Sequence, residues 1–209
     1  MSACPTDVLR SPNARAVFYG TSLTKDGGWV DVLAAEIRET NPTFTWVNAA
    51  EGGRESRWGR AHFAERVIAE KPDVVFLEFA INDAVARFAL SVDEARTNLE
   101  AMLDALRTAR PQSVPVLQVM NPVIGRPAGH DGHRPNLAQH AAMWRTVARH
   151  RQIILIDHAP AWASVLARGE NEFLRFVPDG LHPSLEGYHQ HMLPTLRAEL
   201  GLPDRGRNL

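Results

Sequence analysis

The sequence has few of the residues that cross-link a protein, give it a large net charge or anchor it in a membrane. Cys4 is the only cysteine, so no internal disulfide forms, and a single thiol is consistent with a reducing compartment. Lysine and arginine total 23 against 24 aspartates and glutamates, a net charge of -1. This balance argues against binding nucleic acid or an anionic membrane through a general electrostatic field. The longest apolar run, 74–80, contains Glu78 and is too short to cross a membrane.

The chain also lacks repeats, low-complexity tracts and any Pro/Gly-rich linker that would separate two domains. We therefore predict a single domain over 1–209, with its core at about 16–200, a polar leader at 1–15 and a polar tail at 201–209. The leader has no apolar stretch of the kind found in signal peptides, which predicts a cytoplasmic protein. Arginine supplies 21 of the 23 basic residues. We interpret this as a compositional habit, the alternative being an arginine in a cleft that binds a carboxylate.

Five short apolar segments alternate with helical patterns along the chain. The predicted strands are 16–19, 44–48, 73–79, 114–120 and 153–157, and helical spacing recurs at 29–37, 99–106, 137–150 and 185–200. The strands are apolar on both faces, as in a parallel sheet covered by helices on both sides. The pattern predicts an α/β fold, a three-layer α/β/α sandwich with a five-stranded parallel sheet. A flavodoxin-like order, 2-1-3-4-5, would make strands 1 and 3 neighbours at the topological switch point.

Polar residues and glycine follow three of these strands, and an Asp–His pair lies near the end of the chain. Ser22 follows the first strand, Gly53 the second and Asn82 the third, while Asp179 precedes His182 by three residues. Taken singly, Ser22 is more simply interpreted as a turn or capping serine, and the Asp–His pair as surface loop. If the predicted strand order holds, however, the strand-end residues converge on one crevice. A carboxylate could then orient an imidazole that takes a proton from the serine.

In these residues the chain resembles the SGNH (GDSL-type) hydrolase superfamily. The matching blocks are Gly20-Thr21-Ser22-Leu23, the Gly53 turn, Ala80-Ile81-Asn82-Asp83 and Asp179-Gly180-Leu181-His182-Pro183. The resemblance implies that Ser22 is the nucleophile, His182 the general base and Asp179 its orienting carboxylate. It further implies an oxyanion hole made by the backbone N–H groups of Ser22 and Gly53 and by the side chain of Asn82. No cofactor and no metal is implied.

Two positions depart from the family pattern. Thr21 stands where the family usually has the aspartate of Gly-Asp-Ser, which changes local hydrogen bonding but removes no chemical group. Ala80 stands where the family usually has glycine before the asparagine block. We expect its methyl group to narrow the acyl pocket. Glu78, which interrupts the third strand, is either part of a structural hydrogen-bond network or a group that tunes the site.

Four further residues are candidate substrate contacts: Arg54, Trp58, His130 and His133. Trp58 either stacks on a sugar face or belongs to a partly buried helix start. His130, Asp131 and His133 lie too close together in one irregular loop, 121–135, to complete a tetrahedral metal site without distant help. The same loop is long enough to be functional or mobile.

These observations predict a serine esterase that hydrolyses short-chain acyl esters, foremost O-acetyl groups on a carbohydrate. The expected partner is a small-molecule or oligosaccharide ester, because the chain shows no long apolar lid and places a polar, His- and Arg-containing loop beside the cleft. The alternatives are a lipase, an arylesterase or a thioesterase of the same fold, a phosphoester hydrolase, and a non-catalytic carbohydrate-binding module.

Overall fold

A five-stranded, all-parallel sheet forms the centre of the protein. The computed structural model describes residues 4–205. The strands are β1 (Arg15–Gly20), β2 (Thr45–Asn48), β3 (Val74–Glu78), β4 (Val114–Val119) and β5 (Ile154–Asp157), in the order β2-β1-β3-β4-β5. The predicted strand positions, parallel sheet and 2-1-3-4-5 order are confirmed.

Helices precede, connect and follow the strands. They are α1 (Pro5–Arg10), α2 (Ser22–Lys25), α3 (Trp29–Thr40), α4 (Ser56–Arg66), α5 (Ala80–Asp83), α6 (Val92–Ala109), α7 (Leu137–Arg151), α8 (Ala159–Leu166), α9 (Glu170–Phe176), α10 (Leu185–Gly187) and α11 (Leu193–Glu199). Single 3₁₀ turns occur at Ile68–Glu70 and Ala86–Phe88, and a π turn at Tyr188–Met192 joins α10 to α11. Within residues 4–205, no helix combines the length and the apolar character needed to cross a membrane.

The sheet is the middle of three layers, because successive side chains of a strand point to opposite faces. On one face, the Phe18 and Phe76 rings stack at 4.6 Å between centroids and pack in the cluster that includes α1, α3 and α11. On the other face, Tyr19 and Leu77 pack in the cluster that includes α4, α6 and α7. Both faces are therefore covered, and the carboxyl edge of the sheet is left for a site.

The beginning of the chain differs from the predicted polar leader. Residues 5–10 form α1, and Leu9 is buried in the core because helical spacing turns it towards the sheet. The Asn41 side chain donates hydrogen bonds to the carbonyls of Leu9 (2.9 Å) and Ser11 (2.8 Å). Part of the tail is also held, since Arg10 donates to the Gly201 carbonyl. Residues 1–3 of the leader and 206–209 of the tail lie outside the described residues, and the one-domain organisation stays a prediction.

Candidate active site

Ser22 lies at the carboxyl edge of the sheet, directly after the central strand β1. It is the first residue of α2, a short helix that the sequence analysis did not predict, whereas the predicted helix begins at Trp29 as α3. Gly20, the last residue of β1, is in register with Glu78 at the end of β3. A Cβ atom on Gly20 would lie 2.3 Å from Oε1 of Glu78, so only glycine lets the two strands end side by side here.

The hydroxyl of Ser22 is connected through His182 to the carboxylate of Asp179. Ser22 Oγ lies 2.9 Å from His182 Nε2, and His182 Nδ1 lies 2.7 Å from Asp179 Oδ2. The other carboxylate oxygen, Oδ1, accepts from the backbone N–H groups of His182 (2.7 Å) and Leu181 (2.9 Å). This arrangement leaves Nε2 free to accept a proton from the serine while Nδ1–H stays bound to the carboxylate.

The Asp179 carboxylate is ionised throughout the physiological range. Burial alone would raise its pKa, but the hydrogen bonds from His182 and Leu181 outweigh that effect and lower the pKa to about 2. An ionised carboxylate on Nδ1 favours the tautomer in which Nδ1 carries the hydrogen and Nε2 accepts.

The turn that carries Asp179 and His182 is braced by the long loop 121–135. The Arg126 guanidinium donates to both the carbonyl and Oδ2 of Asp179, each at 3.1 Å. The Asn121 amide donates to the Leu181 carbonyl at 2.9 Å. The loop therefore holds the histidine turn in position, a role that its composition did not predict.

Asn82 presents its amide to the same site in one defined orientation. Its Nδ2 donates to the Arg54 carbonyl at 2.9 Å, and its Oδ1 accepts from Arg134 Nη2 at 3.1 Å. Because each end of the amide has a partner of one type only, the amide cannot flip, and one N–H remains for a ligand. Gly53 has φ +70°. Within residues 4–205, neither its N–H nor that of Ser22 has a hydrogen-bond acceptor.

Two buried carboxylic acids lie directly beneath these residues. Glu78 accepts hydrogen bonds at Oε1 from Thr21 N (2.6 Å), Thr21 Oγ1 (2.9 Å) and Thr24 Oγ1 (2.8 Å). Asp83, next to Asn82, accepts from Ser56 N at 2.7 Å. Burial raises the pKa of each acid to about 7. The question that the sequence left open for Glu78 now has a structural answer: it belongs to a network that Thr21, the unusual residue of the serine block, helps to build.

Ser22, Gly53, Asn82 and His182 line one cavity of about 460 Å³, which we call the Ser22 cavity. Most of its other lining residues are polar or charged, namely Asp26, Arg87, Arg126, His130, Asp131 and Arg134; the rest are Val85, Phe88, Gly132 and Leu181. Over residues 4–205, no group of three or more His, Cys, Asp or Glu side chains is arranged to hold a metal ion.

Of the four predicted substrate contacts, only His130 lines the Ser22 cavity. Trp58 does not, because its ring is occupied elsewhere: the His62 ring stacks on it at 4.5 Å between centroids, and the Arg66 guanidinium lies 4.8 Å from its centre. Arg54 reaches the site through its backbone carbonyl. The Nδ1 atom of His133 lies 2.9 Å from the carbonyl oxygen of Arg126.

A second cavity, of about 520 Å³, lies next to the Ser22 cavity and shares Arg126 and Arg134 with it. We call it the neighbouring cavity. Ala80 and His133 line this cavity and not the Ser22 cavity. Ala80 therefore does not border the Ser22 cavity, and the expectation that its methyl group narrows the acyl pocket stays a prediction.

Three arginines of the site are not among the residues named from the sequence. Arg126 and Arg134 lie in the loop 121–135, which the sequence analysis describes only as containing histidine and arginine, and Arg87 lies in the 3₁₀ turn after α5. Asp83 was read only as part of the asparagine block, although the structure buries it beside the site.

The fold and the clustered residues define a hydrolase of the α/β class with a serine at the carboxyl edge of its sheet. The chain belongs to the GDSL-like lipase/acylhydrolase family, whose sequence profile matches residues 17–190. The resemblance to the SGNH superfamily is thus confirmed. A search of curated proteins finds no significant match.

Solved structures show the same fold at low sequence identity. An acetylxylan esterase from Geobacillus stearothermophilus is 20% identical, with a TM-score of 0.76 over 92% of this chain and 96% of its own. A GDSL-like lipase from Bacteroides thetaiotaomicron is also 20% identical, with a TM-score of 0.70 over 90% of this chain and 88% of its own.

Proposed function

We propose that this protein is a serine esterase that removes short acyl groups, foremost acetyl groups, from a carbohydrate. The observation that carries the proposal is the continuous contact from Ser22 Oγ through the His182 imidazole to the ionised Asp179. It lies in a cavity that also offers the Asn82 amide and free backbone N–H groups.

In the proposed reaction, Ser22 Oγ attacks the ester carbonyl carbon while His182 Nε2 takes the hydroxyl proton. Asp179 stabilises the imidazolium that forms. The carbonyl oxygen becomes negatively charged and accepts hydrogen bonds from the N–H groups of Ser22 and Gly53 and from Asn82 Nδ2.

Collapse of this intermediate breaks the bond to the alcohol oxygen, which receives the proton from His182. A water molecule then attacks the acyl-serine, again losing a proton to His182. The carboxylic acid leaves as Ser22 regains its hydroxyl proton. No cofactor enters these steps.

Two observations support a short acyl group on a polar alcohol. Most of the residues that line the Ser22 cavity carry polar or charged side chains, which can bind the hydroxyl groups of a polar alcohol. The fold is also that of an acetylxylan esterase from Geobacillus stearothermophilus. We accordingly propose a sugar or oligosaccharide as the alcohol.

The proposal is tested by hydrolysis of p-nitrophenyl acetate and by labelling with a fluorophosphonate probe. We expect the wild-type protein to release p-nitrophenol and to be labelled once, on the peptide that contains Ser22. Ser22→Ala should abolish both signals. Ser164→Ala is the matched control, because this serine is exposed on α8 and, in the described part of the chain, its hydroxyl donates only to the Pro160 carbonyl of the same helix. Undiminished labelling or turnover in Ser22→Ala would exclude the proposed nucleophile.

A second candidate is an ester hydrolase for longer acyl chains. The observation that favours it is the neighbouring cavity, which is largely apolar and meets the Ser22 cavity at Arg126 and Arg134. A long acyl chain would have to pass these two arginines to reach it. The dependence of kcat/KM on acyl length separates the two candidates.

A further inference from the structure

Three arginines line the Ser22 cavity, and two of them have no acidic partner among residues 4–205. Arg126 is engaged with Asp179. In residues 4–205, no carboxylate lies within 4.0 Å of the Arg87 or Arg134 guanidinium groups. Arg87 is exposed and rests near the ring of Phe88, 5.0 Å from its centroid. Its charged group is thus available to a ligand in the cavity.

Arg134 is the more deeply placed of the two. It donates to three neutral oxygens: Nε to the Ile81 carbonyl (2.7 Å), Nη1 to the Gly132 carbonyl (2.6 Å) and Nη2 to Asn82 Oδ1 (3.1 Å). A guanidinium has five N–H donors, so donors remain for a further acceptor. Two backbone carbonyls and the Asn82 amide oxygen therefore hold the guanidinium in place, and none of these neutral groups cancels its positive charge.

The surrounding charges leave a positive potential at this point. Burial lowers the pKa of Arg134 to about 10, and the positive charges of Arg126 and Arg87 act in the same direction. Asp179 opposes them, but it is already bound to Arg126 and His182. At neutral pH the guanidinium therefore stays charged and lacks an anion of its own.

The two aspartates in the cavity wall limit the charge of the ligand. Asp26 and Asp131 line the same cavity as the arginines, so they would repel a dianion such as a phosphate monoester. A single carboxylate suits the site better, because a guanidinium matches its planar geometry with two parallel hydrogen bonds.

We propose that Arg87 and Arg134 form a subsite for a carboxylate carried by the substrate. The acetyl ester hydrolysed at Ser22 is then that of a sugar acid. This inference rests on the proposed ester hydrolysis, to which it adds the class of the alcohol.

The kinetic test compares acetate release from two substrates that differ only at one carboxyl group: an O-acetylated methyl glycoside of a uronic acid, and the methyl ester of the same compound. We expect the acid to have the higher kcat/KM by about 10-fold at low salt, the range of a charge-assisted hydrogen bond. The preference should shrink as the ionic strength rises, because the cavity is open to solvent.

Variants locate the subsite. Arg87→Gln should reduce the preference for the acid over its methyl ester by about fivefold or more. Arg149→Gln is the control, since this exposed arginine lies in the last turn of α7 and lines neither cavity. Equal rates on acid and methyl ester, or an undiminished preference in Arg87→Gln, would overturn the inference.

Ligand-observed NMR separates this inference from the proposed function. The wild-type protein should bind the deacetylated uronic acid glycoside and not its methyl ester, whatever esters it hydrolyses. Ser22-dependent hydrolysis of p-nitrophenyl acetate without selective binding of the acid overturns the subsite alone. Selective binding without hydrolysis of any ester overturns the proposed function alone.

Discussion

Glu78 makes the stability of this protein depend on pH in a predictable direction. The side chain is 1% exposed, and the donors that contact it, from Thr21 and Thr24, are neutral. Burial raises its pKa from 4.5 to about 7. The folded protein thus keeps a proton that the unfolded chain loses from pH 4.5 upwards. The stabilisation is complete below pH 4.5 and is lost as the pH rises through about 7; the difference between the two pKa values corresponds to about 3 kcal/mol.

Glu78→Gln removes this titration and keeps an oxygen that can accept from Thr21 and Thr24. We expect the free energy of unfolding of the variant, relative to wild type, to rise by about 3 kcal/mol between about pH 4.5 and about pH 8. Urea unfolding followed by tryptophan fluorescence and circular dichroism at a series of pH values measures this difference.

Asp104→Asn is the control for Glu78→Gln. The hydrogen bond from Arg151 lowers the pKa of Asp104 below 3.8, so its linkage to stability lies at more acidic pH. The difference in the free energy of unfolding between Asp104→Asn and wild type should stay constant over the same pH range. Asp83 acts in the same direction as Glu78, so the Glu78→Gln protein should still lose some stability as the pH rises. A Glu78→Gln difference that changes by less than about 0.5 kcal/mol would refute the argument from burial.

The remaining predictions concern the oxyanion amide, the acyl group and the strand end. Asn82→Ala should lower kcat about 100- to 1,000-fold with little change in KM, because its hydrogen bond strengthens as negative charge develops; a loss below about fivefold, or one confined to KM, would contradict this role. For p-nitrophenyl esters, kcat/KM should fall steeply from acetyl and butyryl to octanoyl, and a rise would favour the longer-chain candidate. Gly20→Ala should lower stability by about 1–3 kcal/mol in urea unfolding, because the added methyl meets Glu78. Gly52→Ala, whose methyl meets nothing closer than 3.7 Å, is its control, and equal stability of both variants would contradict the steric argument.

The sequence by itself was sufficient for the sheet and for the approximate position of the site. Each strand is a short apolar run flanked by polar or turn residues, and that local pattern is readable without the fold. Ser22 and Asn82 follow neighbouring strands, and all parallel strands end at the same edge, so their convergence follows from the strand order. His182 joins them across 160 residues of chain, and the family resemblance, not its local pattern, placed it there.

Burial and charge environment were decided by the tertiary structure alone. Glu78 interrupts an apolar strand in the sequence, but only packing shows that its donors come from Thr21 and Thr24. The sequence allows Trp58 to stack on a sugar, but in the folded protein the His62 ring and the Arg66 guanidinium pack against its ring. A periodic pattern records which face of an element is apolar, whereas the pKa of a carboxyl and the partner of an arginine depend on groups brought together from distant parts of the chain.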